Sequence, residues 1–202
     1  MAGPSAFARS RLDDLLRERR RFLRAFLAGP GRVGAVLPTS KRAVRDTLDM
    51  APVDQARCVV ELGAGTGPYT REILARLRAD ADFLAFELDP ALAAGLRRDF
   101  PDPRLRVIAE SATTLEAHLG GRRPEVIVSA LPFTSLPSAV RAEILAVARR
   151  VLAPGGTMLV LQYSTFVQKD LERTFGSLRR RISLLNVPPA VLFACTAERT
   201  GP

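Results

Sequence analysis

The run Val59-Val60-Glu61-Leu62-Gly63-Ala64-Gly65-Thr66-Gly67 puts a carboxylate two residues ahead of three alternating glycines, directly after an apolar stretch. Glycines at that spacing let a backbone turn sharply and approach a ligand closely. Pro68 suits the first position of a following helix. Exposed amides at a helix start favour an anion, and in dinucleotide enzymes that anion is a pyrophosphate held by G-x-G-x-x-G. Here Pro68 stands where the third glycine of that pattern belongs, and Glu61 would repel a phosphate. The chemistry that fits is a ligand carrying an ammonium group beside a carboxylate. Glu61, Gly63, Ala64, Gly65 and Gly67 are its candidate contacts.

Further candidates stand where later apolar runs end. Glu87 follows Gly67 by 20 residues, the spacing at which an acid accepts hydrogen bonds from ribose hydroxyls, and Leu88 is placed to pack against an attached base. Ile108-Ala109-Glu110-Ser111-Ala112 offers Ser111 or Glu110 to the base, with Ala112 beside them. Ser129-Ala130-Leu131-Pro132-Phe133 sets Ser129 and Leu131 at the reaction centre and Phe133 as an aromatic wall. Ala130, between them, has no side-chain acceptor for a hydrogen bond. Tyr163 ends the next apolar run. Its ring suits a cation–π contact with an ammonium and its hydroxyl suits a hydrogen bond, so it joins Ser129 and Leu131 as a catalytic candidate. Tyr69 is a second possible wall, and Arg180 or Arg181 suits an anionic group of the substrate.

The elements that must position these residues alternate. Short apolar runs at Cys58–Glu61, Phe83–Glu87, Leu105–Ala109, Glu125–Ser129 and Thr157–Gln162 predict strands. Between them, helical patterns cover Tyr69–Leu77, Pro90–Phe100, Thr113–Leu119 and Ser138–Leu152, with another at Phe166–Phe175. That alternation predicts a doubly wound α/β fold with a mostly parallel sheet and helices on both faces. At the end, Arg181–Leu185 and Val191–Thr196 are separated by Asn186-Val187-Pro188-Pro189. That link is too short for a crossover helix, so the last two strands pair antiparallel as a hairpin. Upstream, Thr39 or Ser40 caps a helix reaching about Met50.

Residues 5–28 read as an amphipathic helix. Leu12, Leu15, Leu16, Leu23, Phe26 and Leu27 share a face, and Arg17, Arg20, Arg21 and Arg24 populate the rest. Residues 1–30 therefore form a basic helix ahead of a ligand-binding domain at 31–202. The net charge of +9 among 202 residues implies an anionic partner, either nucleic acid or a membrane surface. Its arginines cluster in the first helix and again at Arg179-Arg180-Arg181. No window is apolar enough to span a bilayer, and no signal peptide is evident, so a cytoplasmic protein is expected. Cys58 and Cys195 fall in predicted strands and read as small core residues rather than a disulfide. His118 is given no role, and no metal-ligand pattern is present.

Taken together, these motifs resemble the class I S-adenosylmethionine-dependent methyltransferases, whose Rossmann-like, seven-stranded sheet consists of five parallel strands and a terminal hairpin. A narrower resemblance covers about residues 22–197. Gly34-Ala35-Val36-Leu37-Pro38-Thr39-Ser40, the glycine loop, Ser129-Ala130-Leu131-Pro132 and Asn186-Val187-Pro188-Pro189 are similar, in that order, to segments of bacterial phospholipid N-methyltransferases. Those enzymes methylate phosphatidylethanolamine stepwise toward phosphatidylcholine. The resemblance implies S-adenosyl-L-methionine as cofactor. It implies an amine-bearing phospholipid as substrate, with Asn186 joining Tyr69, Phe133, Tyr163 and Arg180 around it. It also implies a monomer bound peripherally to the anionic inner face of the membrane through Arg17, Arg20, Arg21, Phe22, Arg24 and Phe26. Where other class I enzymes place Gly-Asp-Ala, this chain has Glu110-Ser111-Ala112. The rival readings are an rRNA or other nucleic-acid adenine methyltransferase, a methyltransferase of small soluble amines, and a non-catalytic membrane-binding protein.

Overall fold

The computed structural model describes residues 40–184 and 189–197. The proposed N-terminal membrane helix, with Arg17, Arg20, Arg21, Phe22, Arg24 and Phe26, lies outside those residues. So do Gly34–Thr39 and the hairpin residue Asn186.

The Ser40 hydroxyl caps helix α1 (Lys41–Leu48) by accepting from the Ala43 amide at 3.1 Å, which satisfies an otherwise orphaned donor. Ala43, Val44, Thr47 and Leu48 are its buried face. The alternation then runs β1 (Cys58–Leu62), α2 (Pro68–Arg76), β2 (Asp82–Phe86), α3 (Pro90–Asp99) and β3 (Leu105–Ile108). The stretch predicted as one helix after β3 is divided into a 3-10 turn at Ala112–Thr114 and a short helix α4 (Leu115–Leu119). There follow β4 (Val126–Ser129), α5 (Ser138–Val151), β5 (Thr157–Gln162), α6 (Gln168–Phe175), β6 (Gly176–Ser183) and β7 (Ala190–Ala197).

The sheet order is β3-β2-β1-β4-β5-β7-β6. The first five strands are parallel, and β7 pairs antiparallel with both β5 and β6. Every residue of β1, β4 and β5 is buried, as a parallel sheet covered on both faces requires. The chain leaves β1 for β2 and β3 on one side and later crosses to β4 on the other. The gap between the ends of β1 and β4 is thus the switch point where such sheets bind ligands.

β6 begins at Gly176, five residues ahead of the predicted start at Arg181. Gly176 ends α6 with a φ of +78° and turns the chain straight into the strand. As an edge strand β6 leaves most of its side chains in solvent, so Arg179–Arg181 fit within it and no apolar alternation marks it. Cys58 and Cys195 are free and buried in β1 and β7, and burial pushes their thiols up to about 11 and about 12.

Candidate cofactor and reaction site

The glycine loop joins β1 to α2. Gly63, Gly65 and Gly67 all have positive φ, at +79°, +57° and +86°. The reasons for glycine differ between them. A β-carbon on Gly67 would come within 2.4 Å of the Phe100 ring, and one on Gly63 within 2.7 Å of Leu131 Cδ2. A β-carbon on Gly65 would meet nothing within 4 Å, so the loop opens onto free space there.

The loop amides are engaged rather than presented to an anion. Gly63 and Ala64 both donate to the Phe86 carbonyl, Gly67 donates to Ala64, and Gly65 donates to Glu87 Oε2 at 2.8 Å. The exposed amide cradle expected at the helix start is therefore absent at these four positions. What the loop offers is space and carboxylates, which is the wrong lining for a pyrophosphate.

Glu61 is wholly buried on β1. Its Oε2 accepts from the Thr70 hydroxyl at 2.7 Å. Its Oε1 is buried with no hydrogen-bond partner among the described residues. Burial, with the Glu87 charge adding to it, pushes the carboxyl from 4.5 up to about 8, against the opposing Thr70 hydrogen bond. An unsatisfied buried carboxylate oxygen is costly unless a donor reaches it. An ammonium-bearing ligand supplies such a donor, so the residues present fit the cofactor implied by the sequence.

Glu87, at the end of β2, is also buried. It accepts from the amides of Gly65 and Asp89, which leaves further acceptor capacity on both oxygens. Leu88 beside it is buried as well. Ser111 caps the 3-10 turn, accepting from the Thr113 amide and hydroxyl, and Ala112 is buried behind it. Glu110 lies 3.3 Å from His118 Nε2, and that imidazole stands edge-on to the Phe86 ring at 5.6 Å. His118, given no role from sequence, thus holds the alternative adenine contact, Glu110, on its own side.

Across the switch point, Ser129 is fully buried at the end of β4, and its hydroxyl oxygen accepts from the Leu131 amide at 3.4 Å. Leu131 packs on Gly63, which brings the end of β4 against the cofactor loop. Sequence reasoning missed Gln162, the last residue of β5. Its side chain is buried and donates to the carbonyls of Leu131 and Leu161 at 2.9 and 2.7 Å. A polar residue closing an apolar strand run was the available signal. Tyr163 follows it and is 37% exposed at this same edge.

Two aromatic candidates take other places. Tyr69 is buried, and its hydroxyl donates to Thr47 Oγ1 at 3.0 Å, so it ties α2 to α1 instead of walling a pocket. Phe133 is fully buried in the core, and its ring offers no open face to a substrate. Arg180 is exposed on β6 and donates to Gln168 Oε1 at 3.1 Å. Among the described residues, no cluster of His, Cys, Asp and Glu is arranged to hold a metal, and no helix is long and apolar enough to cross a membrane.

A family profile described as a methyltransferase domain matches residues 59–156. The chain is 31% identical over 179 residues to the ornithine lipid N-methyltransferase of Singulisphaera acidiphila, an alignment that covers 86% of this chain and 93% of that one. A 16S rRNA methyltransferase of T. thermophilus, solved with AdoMet and guanosine, matches with a TM-score of 0.60 at 23% identity. That match covers 84% of this chain and 45% of the other, so this chain spans less than half of that protein. The N-methyltransferase NodS of Bradyrhizobium japonicum, solved with S-adenosyl-L-homocysteine, matches with a TM-score of 0.63 at 10% identity, over 86% of this chain and 97% of that one. At these identities the two structures establish a shared fold.

Proposed function

The chain belongs to the class I S-adenosylmethionine-dependent methyltransferases, in the family that includes its ornithine-lipid relative, and from that premise we propose that it methylates the amine of a membrane lipid. The observation that carries the lipid reading is the match to that relative along 93% of the relative's length. Phosphatidylethanolamine and its partly methylated forms are the proposed substrates. The relative's activity makes ornithine lipid the second reading. Both lipids present a primary amine at the bilayer surface, and only the first has a phosphate for Arg180 to meet. Asn186 is proposed to line the same pocket.

Bound S-adenosylmethionine supplies an electrophilic methyl group. Glu61 is proposed to receive its ammonium, Gly63, Ala64, Gly65 and Gly67 to make room for it, and Glu87 to accept from its ribose. Leu88, Ser111 and Ala112 are proposed to border its adenine, and Ser129 and Leu131 to meet it from the end of β4. Gln162 holds the Leu131 carbonyl, which keeps β4 and β5 aligned at the reaction centre.

Methyl transfer needs a neutral amine, because an ammonium has no lone pair to attack with. A site that excludes water lowers the amine pKa, and a nearby acceptor takes the proton. The Tyr163 ring is proposed to hold the cationic methylated amine, which becomes permanently charged only with the third methyl, and positioning supplies much of the rate. Residues 1–30 are proposed to bring the enzyme peripherally to the anionic inner face of the membrane, with residues 31–202 as the catalytic domain.

The test is incubation of the full chain with labelled S-adenosylmethionine and, separately, phosphatidylethanolamine vesicles, ornithine-lipid vesicles, rRNA and free ethanolamine. Label is expected in phosphatidylethanolamine. Label in ornithine lipid alone selects the second reading, and label in RNA or ethanolamine alone rejects a lipid substrate.

A further inference from the structure

Among the described residues, the large apolar side chains left exposed are Leu92, Tyr163, Phe166, Ile182 and Leu184. Four of the five belong to one end of one side of the sheet. Gln162 of β5 and Ile182 of β6 are both in register with Val191 of β7. Because β7 runs antiparallel to each, β5 and β6 run the same way. Tyr163, just past β5, and Ile182 and Leu184, at the end of β6, therefore stand at the carboxyl edge of the sheet. That is the edge from which the cofactor loop and the end of β4 also emerge. Phe166 lies in the link from β5 to α6, with its ring centroid 5.2 Å from Arg141 Cζ. The Arg180–Gln168 hydrogen bond holds the face of β6 that carries Ile182 beside the start of α6.

The exposure is large where it matters: 61% for Phe166, 52% for Ile182 and 75% for Leu184. Exposed apolar groups of this size clustered at one edge mark an interaction surface. Charge selects the partner. Arg179, Arg180 and Arg181 are exposed on β6, and Lys169 and Arg173 are exposed on α6. Between them, Asp170 is committed to Arg141 and Arg173, and exposed Glu172 accepts from the Gln168 amide, which leaves the cations in excess on this face. A second copy pairing along the β6 edge would bring two arginine triplets together, which charged edge strands serve to prevent. A surface of negative charge over hydrocarbon suits both the arginines and the apolar tips.

We propose that the rim of Phe166, Ile182 and Leu184, flanked by Tyr163 and the β6 arginines, docks on an anionic lipid bilayer and seats the carboxyl edge of the sheet against the headgroups. This rests on the lipid reading above and adds a contact beyond the one proposed for residues 1–30. Docked this way, the end of β5 faces the headgroup layer, and a lipid amine reaches Tyr163 without leaving the membrane.

The experiment compares the full chain with the Phe166→Ser/Ile182→Ser/Leu184→Ser variant, both retaining residues 1–30. Partitioning is measured by flotation with vesicles of phosphatidylcholine containing phosphatidylglycerol, and with phosphatidylcholine alone. Affinity for S-adenosylhomocysteine and methylation of a short-chain, monomeric phosphatidylethanolamine are measured alongside. The variant is expected to lose at least tenfold in partitioning to the anionic vesicles while keeping cofactor affinity and activity on the monomeric lipid. Partitioning within twofold of the parent overturns the proposal, as does equal binding of the parent to neutral and anionic vesicles. If the triple variant loses cofactor affinity, Phe166→Ser and Leu184→Ser, both outside the strands and helices, are read singly, each expected to lose at least twofold. Failure of the parent to methylate either phosphatidylethanolamine or ornithine lipid rejects the lipid reading, whereas the partitioning result judges the rim.

Discussion

Glu61→Gln isolates the carboxylate on which recognition of the cofactor is proposed to depend. In the folded protein the Glu61 carboxyl is pushed up to about 8 by burial and by the charge of Glu87. The nearby titratable groups are Glu87 and the Tyr69 phenol, which is itself driven up by burial. At pH 7 the acid is therefore about nine-tenths protonated, one pKa unit being about 1.4 kcal/mol. Pairing with the cofactor's ammonium requires the ionised form. Binding at pH 7 is then expected to release close to one proton from this site, which weakens affinity there roughly tenfold relative to a fully ionised carboxylate. Titration calorimetry of S-adenosylhomocysteine in buffers of different ionisation enthalpy counts those protons. The ligand's own amine titrates equally in both proteins, so the difference between parent and Glu61→Gln belongs to Glu61. The variant, lacking the charge, is expected to bind about 10- to 100-fold more weakly at pH 9, as loss of a charged hydrogen bond of about 1.5–3 kcal/mol implies. Stability carries an independent signature. Because the folded carboxyl titrates above its unfolded value, the native chain holds a proton that the unfolded chain has released between pH 4.5 and about 8. Stability of the empty protein should fall as pH rises through that window, by at most about 5 kcal/mol, and level off above it. The Gln variant should show a flatter profile. Equal proton release in the two proteins, or equal affinity at pH 9, would refute the assignment.

Substitutions at four other positions separate folding from binding and chemistry. Gly67→Ala drives a β-carbon into Phe100 at a φ of +86°, so a loss of roughly 2–3 kcal/mol and a melting temperature lower by about 5–10 °C are expected in calorimetry. Gly65→Ala meets open space and carries only left-handed strain of about 1–2 kcal/mol, so it should fold yet lose at least about tenfold in S-adenosylhomocysteine affinity. Glu87→Gln should leave the melting temperature of the loaded protein dependent on far higher cofactor concentrations, with affinity down about 10- to 100-fold; unchanged affinity would remove Glu87 from the ribose site. Tyr163→Phe should keep most of kcat/KM while Tyr163→Ala loses about tenfold, consistent with a cation–π contact of about 1–2 kcal/mol. A Phe variant as slow as the Ala variant would instead assign the hydroxyl the essential part.

The order and type of elements were legible because each central strand is buried on both faces and is apolar along its length, and helices separate them at regular intervals. What was not legible is where β7 goes. Its insertion between β5 and β6 follows from tertiary pairing, and no local pattern distinguishes that order from a simple meander. The start of β6 was missed for a related reason. An edge strand with exposed arginines carries no hydrophobic period, and only the positive φ of Gly176 marks its beginning.

The two halves of the site differ in the same way. The cofactor half is written in one contiguous loop plus an acid at a fixed distance, so residue types and spacing reveal it. Even there, the engagement of the loop amides by Phe86 and Glu87 depends on β2 lying beside β1, which turns an apparent anion cradle into an open, carboxylate-lined one. The proposed substrate half draws on the ends of β4, β5 and β6, and sequence proximity says little about which side chains face outward. Tyr69 and Phe133 have the right chemistry but are packed inside, Tyr69 by its bond to Thr47 and Phe133 by complete burial. Tyr163 differs because buried Gln162 precedes it, spends its amide on the Leu131 carbonyl, and ends the strand with the next side chain in solvent. The same hydrogen bond joins β5 to Leu131, which packs on Gly63 of the cofactor loop. The loop and the exposed tyrosine are thus linked through one buried amide, so the edge proposed to receive the substrate is held in register with the glycine loop by a residue whose own chemistry is inert.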